Sequence, residues 1–244
     1  MTPELVVLLV AGFATGFINA VAGGGSALTI PLLTLMSDAN IANGTNRVPV
    51  LFANLAGIAA YQKGDSVPWN RITVLIPPVL AGAGLGAWVA TRLPPDGMQR
   101  VFAVVLLLVA VSAVVNTKQW LEDAPSRLGP VGRTVAFFFI GFYGGFVQIG
   151  VGILLLTALV LGSGFSMLRG NGAKVVIIAA YSVVTLPFYF WAGHVDLWLG
   201  VILAFGFSSG AYLAARLAVR KGSAWARWVL VAASVVAAVR MMFT

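Results

Sequence analysis

Apolar residues fall into ten runs separated by glycine, proline and charged breakers, approximately 5 to 21, 27 to 36, 48 to 61, 72 to 90, 100 to 115, 133 to 149, 151 to 161, 175 to 191, 197 to 215 and 225 to 242. Each is read as a helix. Crossing a hydrocarbon layer takes about 20 helical residues, so most runs can cross with help from their flanks, and the second and seventh cannot. Those two occupy corresponding places, five runs falling in each half. Each follows a glycine cluster, AGGGSA over 22–27 and GVG over 150–152. Glycines there release backbone groups from helical bonding, which is tolerated at membrane depth only beside protein or a water-filled cavity. The clusters therefore point to an interior cavity, with runs 2 and 7 as broken or re-entrant elements.

The two halves repeat. GAGLGAWVATRL over 82–93 aligns with GFSSGAYLAARL over 206–217 at a spacing of 124, pairing Gly82 with Gly206, Gly86 with Gly210 and Arg92 with Arg216. A second block aligns at 129: Gly12 with Gly141, Gly16 with Gly145, Phe17 with Phe146, and the amides Asn19 and Gln148. Such repeats, with glycines and a fixed polar position, mark transporter architectures. The organisation read from them is a first membrane repeat over 1–116, a polar connecting loop over 117–132 and a second repeat over 133–244. Five crossings per half is an odd number, so the halves run antiparallel. The fold class is an all-α polytopic membrane protein built as an inverted repeat.

Composition leads to the same class, since 60% hydrophobic and 9% charged residues fall far short of the roughly 25% charge of a soluble protein. The absence of cysteine removes disulfide and thiol chemistry. Residues 1 to 10 carry Glu4 in place of a basic stretch and read as a first helix, not a signal peptide. Fifteen Lys and Arg against seven Asp and Glu form no basic stripe, so no nucleic-acid partner is expected. Sorted with the N-terminus outside, eleven basic residues fall on one side and four on the other, which puts both termini outside. The chain is expected to be multi-pass in a cell membrane with the lipid bilayer as partner; the oligomeric state stays open, a homodimer included. The carboxylates all lie in loops or at segment ends and there is one histidine, so no metal site and no cofactor is expected.

Arg47 and Lys174 stand at the starts of corresponding segments, each preceded by glycine and asparagine, in NGTNR over 43–47 and GNGAK over 170–174. A cation beside freed helix N-terminal amides attracts an anion. Asn54 and Tyr61 follow Arg47 at seven-residue spacing, and Tyr181 and Ser182 follow Lys174, so a polar stripe would face the centre from each half. Asn19 and Gln148 could donate amide hydrogens to anionic oxygens. The candidate substrate-binding set is Asn19, Gly23, Gly24, Gly25, Ser26, Thr45, Asn46, Arg47, Asn54, Gln148, Gly150, Gly152, Asn171, Lys174 and Ser182.

These motifs in this order, with YQKGDSVPW over 61–69 and its echo WAGHVDLW over 191–198, resemble the sulfite exporter TauE/SafE family over nearly the whole length. The resemblance implies a permease of the bacterial cytoplasmic membrane that exports a small anionic substrate, sulfite or an organosulfonate such as sulfoacetate. The second half departs from the first, lacking the triple glycine and any proline matching Pro31. Equal roles for the two broken regions are not implied.

Other readings stand beside these. Long basic side chains near helix ends snorkel to the interface, which is an alternative for Arg47 and Lys174 and the expected role of Arg92 and Arg216. Buried amides also serve as glue between helices, the alternative for Asn19, Gln148, Asn54 and Ser182. Trp69 and Trp198 are expected as interfacial anchors, and His194 beside Asp196 as a surface histidine. A passive anion channel would use the same residues as a transporter. An intramembrane hydrolase would need Ser163, in GSG over 162–164, activated by the lone His194. No second base or orienting group is in sight, so the chain is read as a non-enzyme with no catalytic residues.

Overall fold

The protein is described by a computed structural model over residues 3–114 and 128–221. The connecting loop at 117–127, the tenth apolar run at 225–242 and the charges Lys118, Glu122, Asp123, Arg127, Arg227 and Arg240 lie outside the described residues. Among those described, every regular element is helical. The helices are α1 (Pro3–Ala22), α2 (Ser26–Thr34), α3 (Ala39–Thr45), α4 (Arg47–Gln62), α5 (Trp69–Ile72), α6 (Ile76–Ala90), α7 (Pro95–Val114), α8 (Pro130–Phe146), α9 (Val151–Thr157), α10 (Met167–Trp191) and α11 (Leu197–Lys221), and a π-helical turn, Ala158–Gly162, extends α9.

Local chemistry sets several boundaries. Prolines occupy the first turns of α6 and α8, where no intrahelical N–H is needed. Asp38 caps α3 by accepting from Ile41 N at 2.9 Å, and Ser166 caps α10 from Arg169 N at 3.4 Å. At about 1.5 Å per residue α10 reaches about 37 Å, enough to cross a bilayer, whereas α2 reaches about 14 Å and α9 with its π turn about 18 Å. The second and seventh apolar runs are thus short helices, as their lengths in sequence require. The surface departs from the usual soluble pattern, and polar residues are buried among the apolar core: Phe205 is 71% exposed and Trp198 72%, while Arg47, Lys174 and Asn43 are 0% exposed. Large apolar side chains face outward because lipid, not water, is their solvent.

The packing occurs twice. α1 lies on α11, and α8, which corresponds to α1, lies on α6, which corresponds to α11. A Cβ at Gly12 would meet Leu203 and one at Gly16 would run into Phe207; in the other copy, Gly141 abuts Val79 and Gly145 abuts Ala83. Gly206 and Gly210 lie against Leu9 and Phe13, and Gly82 and Gly86 against Phe138 and Phe142. The repeated glycines therefore mark where helix backbones touch. Each contact joins one half to the other, so the repeats interlock. α4 and α10 are corresponding helices packed on each other. Arg47 at the start of α4 reaches Thr185, late in α10, while Gly57 meets Val175, early in it. The two helices therefore run in opposite directions.

Candidate functional site

α1 and α8 both end in the middle of the molecule, and the turns after them meet. Gly23, with φ +77°, and Gly152 lie backbone to backbone, each without room for a Cβ because of the other. These two glycines pair at the same spacing of 129 as the second repeat block. Asn46 ties the turns together: its Nδ2 donates to Ser26 Oγ at 3.0 Å and to Gln148 Oε1 at 3.3 Å, and its Oδ1 accepts from Thr29 Oγ1 at 2.6 Å. Gln148 has φ +65° and Gly150 φ +70°. A left-handed glutamine costs about 1–2 kcal/mol, a strain of the kind that gathers at working sites.

Both cations are fully buried, and their settings differ from the sequence expectation. Asn46 is itself helical and joins α3 to α4, with Asn46 N donating to Ala42 O at 3.1 Å and Val50 N to Asn46 O at 3.3 Å, so this junction is not an open helix start. Lys174 lies about two turns inside α10. Neither cation snorkels to an interface. Instead each reaches across to the C-terminus of the first helix of the other half. Arg47 Nη2 donates to Gly145 O at 2.6 Å and Tyr189 OH at 2.9 Å, and Nη1 to Gly144 O at 3.3 Å and Thr185 Oγ1 at 3.1 Å. The guanidinium carbon sits 4.1 Å from the centre of the Tyr189 ring. Lys174 Nζ donates to Asn19 O and Ala20 O, both at 3.0 Å, and to Asn171 Oδ1 at 2.8 Å. The last carbonyls of a helix lack intrahelical donors and carry the negative end of its dipole, so a cation answers both needs.

This leaves two charges held only by carbonyls, amides and hydroxyls; neither has a carboxylate partner among the described residues. All three Lys174 protons have acceptors. Arg47 Nε has none, and the same holds for Gln148 Nε2, Tyr181 OH and Ser182 Oγ, all buried. Buried donors without partners are uncommon, and each calls for a reason, a bound water or ion among them.

The other candidate residues divide. Ser26, Asn46 and Gln148 join at the turns, and Gly25 packs on the Asn19 side chain. Gly24 is the looser member of its cluster, a Cβ there finding only Ile153 Cδ1 at 3.8 Å. Asn171 serves Lys174, and Asn54 Nδ2 donates within its own helix to Val50 O at 2.7 Å. Thr45 is drawn away, its Oγ1 accepting from Asp196 N at 2.9 Å in the loop after α10. Sequence reading passed over Thr185, Tyr189 and Asn43, whose Nδ2 donates to Tyr189 OH at 3.0 Å. Thr185 and Tyr189 continue the face of Ser182 at helical spacing, a signal present in the sequence.

Arg92 and Arg216 are exposed, Arg92 lying 3.8 Å above the Trp88 ring, and Trp69 and Trp198 are exposed at 45% and 72%. Ser163 precedes α10 and His194 follows it, so the length of that helix, about 37 Å, separates the only serine–histidine pair the hydrolase reading offered.

The family model described as Sulfite exporter TauE/SafE matches residues 8–241. A probable membrane transporter protein, ORF9, of Sinorhizobium sp is 28% identical over 98% of this chain and 92% of its own. A probable membrane transporter protein of Haemophilus influenzae is 27% identical over 98% and 94%, and the probable membrane transporter protein YfcA of Escherichia coli K12 is 25% identical over 98% and 90%. No solved structure matches significantly. The chain belongs to the sulfite exporter TauE/SafE family, a family of membrane transporters.

Proposed function

We propose that this member of the TauE/SafE family exports small sulfur-containing anions, sulfite or organosulfonates such as sulfoacetate, by alternating access driven by the membrane potential or the anion gradient. The observation that carries this reading is the pair of buried cations, Arg47 and Lys174, without carboxylate partners and beside unfilled hydrogen-bond donors. Each uncompensated charge in the interior costs several kcal/mol. The helix C-termini offset part of that cost, and a bound anion would offset more. A potential of about 100 mV, negative inside, drives each negative charge outward with about 2.3 kcal/mol, so export needs no coupling ion. The backbone contact of Gly23 with Gly152 favours alternating access over a passive channel, because it closes the middle of the molecule.

A thermal-shift screen of the purified protein tests this reading. Sulfite and sulfoacetate are expected to raise the melting temperature in a saturable way, a hundredfold excess over Kd contributing about 2.7 kcal/mol, and uncharged analogues to leave it unchanged. No response to sulfite, sulfoacetate, taurine or sulfate would count against it.

The same reading makes the halves an inverted repeat about an axis in the membrane plane, with both termini outside. The opposed directions of α4 and α10 support it, since a two-fold relating crossing helices in opposite directions lies in the plane. Cysteines in the corresponding connections after α4 and after α10 are then expected to label from opposite sides of the membrane. Ser66 is buried, its Oγ donating to Gly64 O, so Asn70 and Ala192, both exposed, are the positions for the tags. Labelling of both from one side would contradict the inverted arrangement.

A further inference from the structure

The described buried or half-buried tyrosines differ in one respect. Tyr61 OH donates to Ala20 O at 3.3 Å, Tyr143 OH to Ile149 O, and Tyr189 OH to Gly145 O and Phe146 O at 3.0 Å, while Tyr212 OH accepts from Lys63 Nζ at 3.4 Å. The exception is Tyr181. Its ring is 0% exposed and its hydroxyl closes no hydrogen bond of acceptable geometry, although it stands beside the Gln148 side chain and within the field of Arg47. Room for it is made by Gly144, where a Cβ would come 3.2 Å from the phenol carbon and 3.3 Å from its oxygen. The carbonyl of that glycine accepts from Arg47 Nη1. Arg47, Gln148 and Tyr181 therefore come together from α4, the strained turn after α8, and α10, each with a buried donor unfilled: Nε, Nε2 and the phenol OH.

We propose that Tyr181 is a direct ligand of the transported anion, acting with Arg47 Nε and Gln148 Nε2, and that this trio selects oxyanions carrying no proton on oxygen. The proposal rests on the transport reading above and adds a ligand and a selectivity to it. Two of the three groups can only donate, and the phenol's lone pairs lie beside a guanidinium that draws on them. A sulfite dianion or a sulfonate offers acceptors to every member. Bisulfite brings an O–H to which the trio offers only the phenol oxygen, and a buried proton left without an acceptor is penalised strongly. Lys174, with every proton engaged, positions the end of α1 and adds charge without touching the ligand.

Tyr181→Phe separates ligand from scaffold. Because the hydroxyl closes no hydrogen bond of good geometry and only stands beside the Gln148 amide, its removal is expected to change the melting temperature of the ligand-free protein little, while sulfoacetate binding weakens roughly tenfold. Tyr61→Phe, which removes a hydroxyl bonded to a carbonyl, is expected to lower the melting temperature and leave affinity near wild type. In wild type, affinity for total sulfite should fall as the buffer is taken from mildly alkaline to mildly acidic, where sulfite takes up a proton; sulfoacetate affinity should change little. Equal sulfoacetate affinity in Tyr181→Phe and wild type overturns the ligand role, and sulfite affinity insensitive to protonation overturns the selectivity, with the transport reading intact in both cases. Absence of any anion binding by wild type overturns both.

Discussion

Arg47→Gln is expected to weaken anion binding roughly hundredfold and to destabilise the protein as well. A charge-assisted hydrogen bond contributes about 1.5–3 kcal/mol, and the substitution removes the charge and the one free guanidinium donor together. It also strips Gly144 O, Gly145 O, Thr185 and Tyr189 of a common donor; Gly145 O keeps Tyr189 OH, and leaving Gly144 O short costs about 1–3 kcal/mol. Arg47→Lys is the sharper probe. It keeps the charge, yet an ammonium cannot reproduce a planar fork that serves four acceptors at fixed angles, so most of both losses should remain. Lys174→Gln should differ in kind. It removes one donor from each of Asn19 O, Ala20 O and Asn171 Oδ1, the first two keeping Gly23 N and Tyr61 OH, so stability should also fall, while affinity falls less than in Arg47→Gln because no Lys174 proton is available to a ligand. Melting temperature and anion titration on the same preparations separate the two effects; equal affinity losses at both positions would contradict the division.

The glycine turns give the second large effect. Gly23→Ala places a methyl on a residue with φ +77° and against the backbone of Gly152. The backbone conformation alone costs about 1–2 kcal/mol, and separating two packed backbones adds to it, so a loss of about 3 kcal/mol and of transport is expected. Gly24→Ala, one residue along, meets only Ile153 Cδ1 at 3.8 Å and should stay within about 1 kcal/mol of wild type. Comparable stability and flux in both variants would remove the Gly23–Gly152 contact from the account.

Much of this was legible from glycine spacing. The pairs at 124 and 129 proved to be the places where helices touch across halves, since only a residue without Cβ allows such approach. Extending the 129 register four residues past Asn19 and Gln148 would have reached Gly23 and Gly152, whose contact is the centre of the molecule. The settings of the two cations were not legible. Gly170 and Gly172 look like breakers before Lys174, yet one faces Leu156 and Val160 and the other Ser66, so packing carries α10 through them from Met167 and overrides their propensity. The NGTNR run looks like an open helix start for the same reason; Asp38 and burial carry α3 through Thr45, and Asn46 joins it to α4. That the cations cap helix C-termini depends on the ends of α1 and α8 meeting in space, which no local pattern encodes.

The central claim is that anions pass through the site between these helix ends. Current recorded from proteoliposomes loaded with sulfite or sulfoacetate tests it most directly. Anion-dependent current that rises as the interior is made negative, with little current from Arg47→Gln liposomes of equal protein content, is the result expected. Absence of anion-dependent flux, or current from Arg47→Gln equal to wild type, would contradict it.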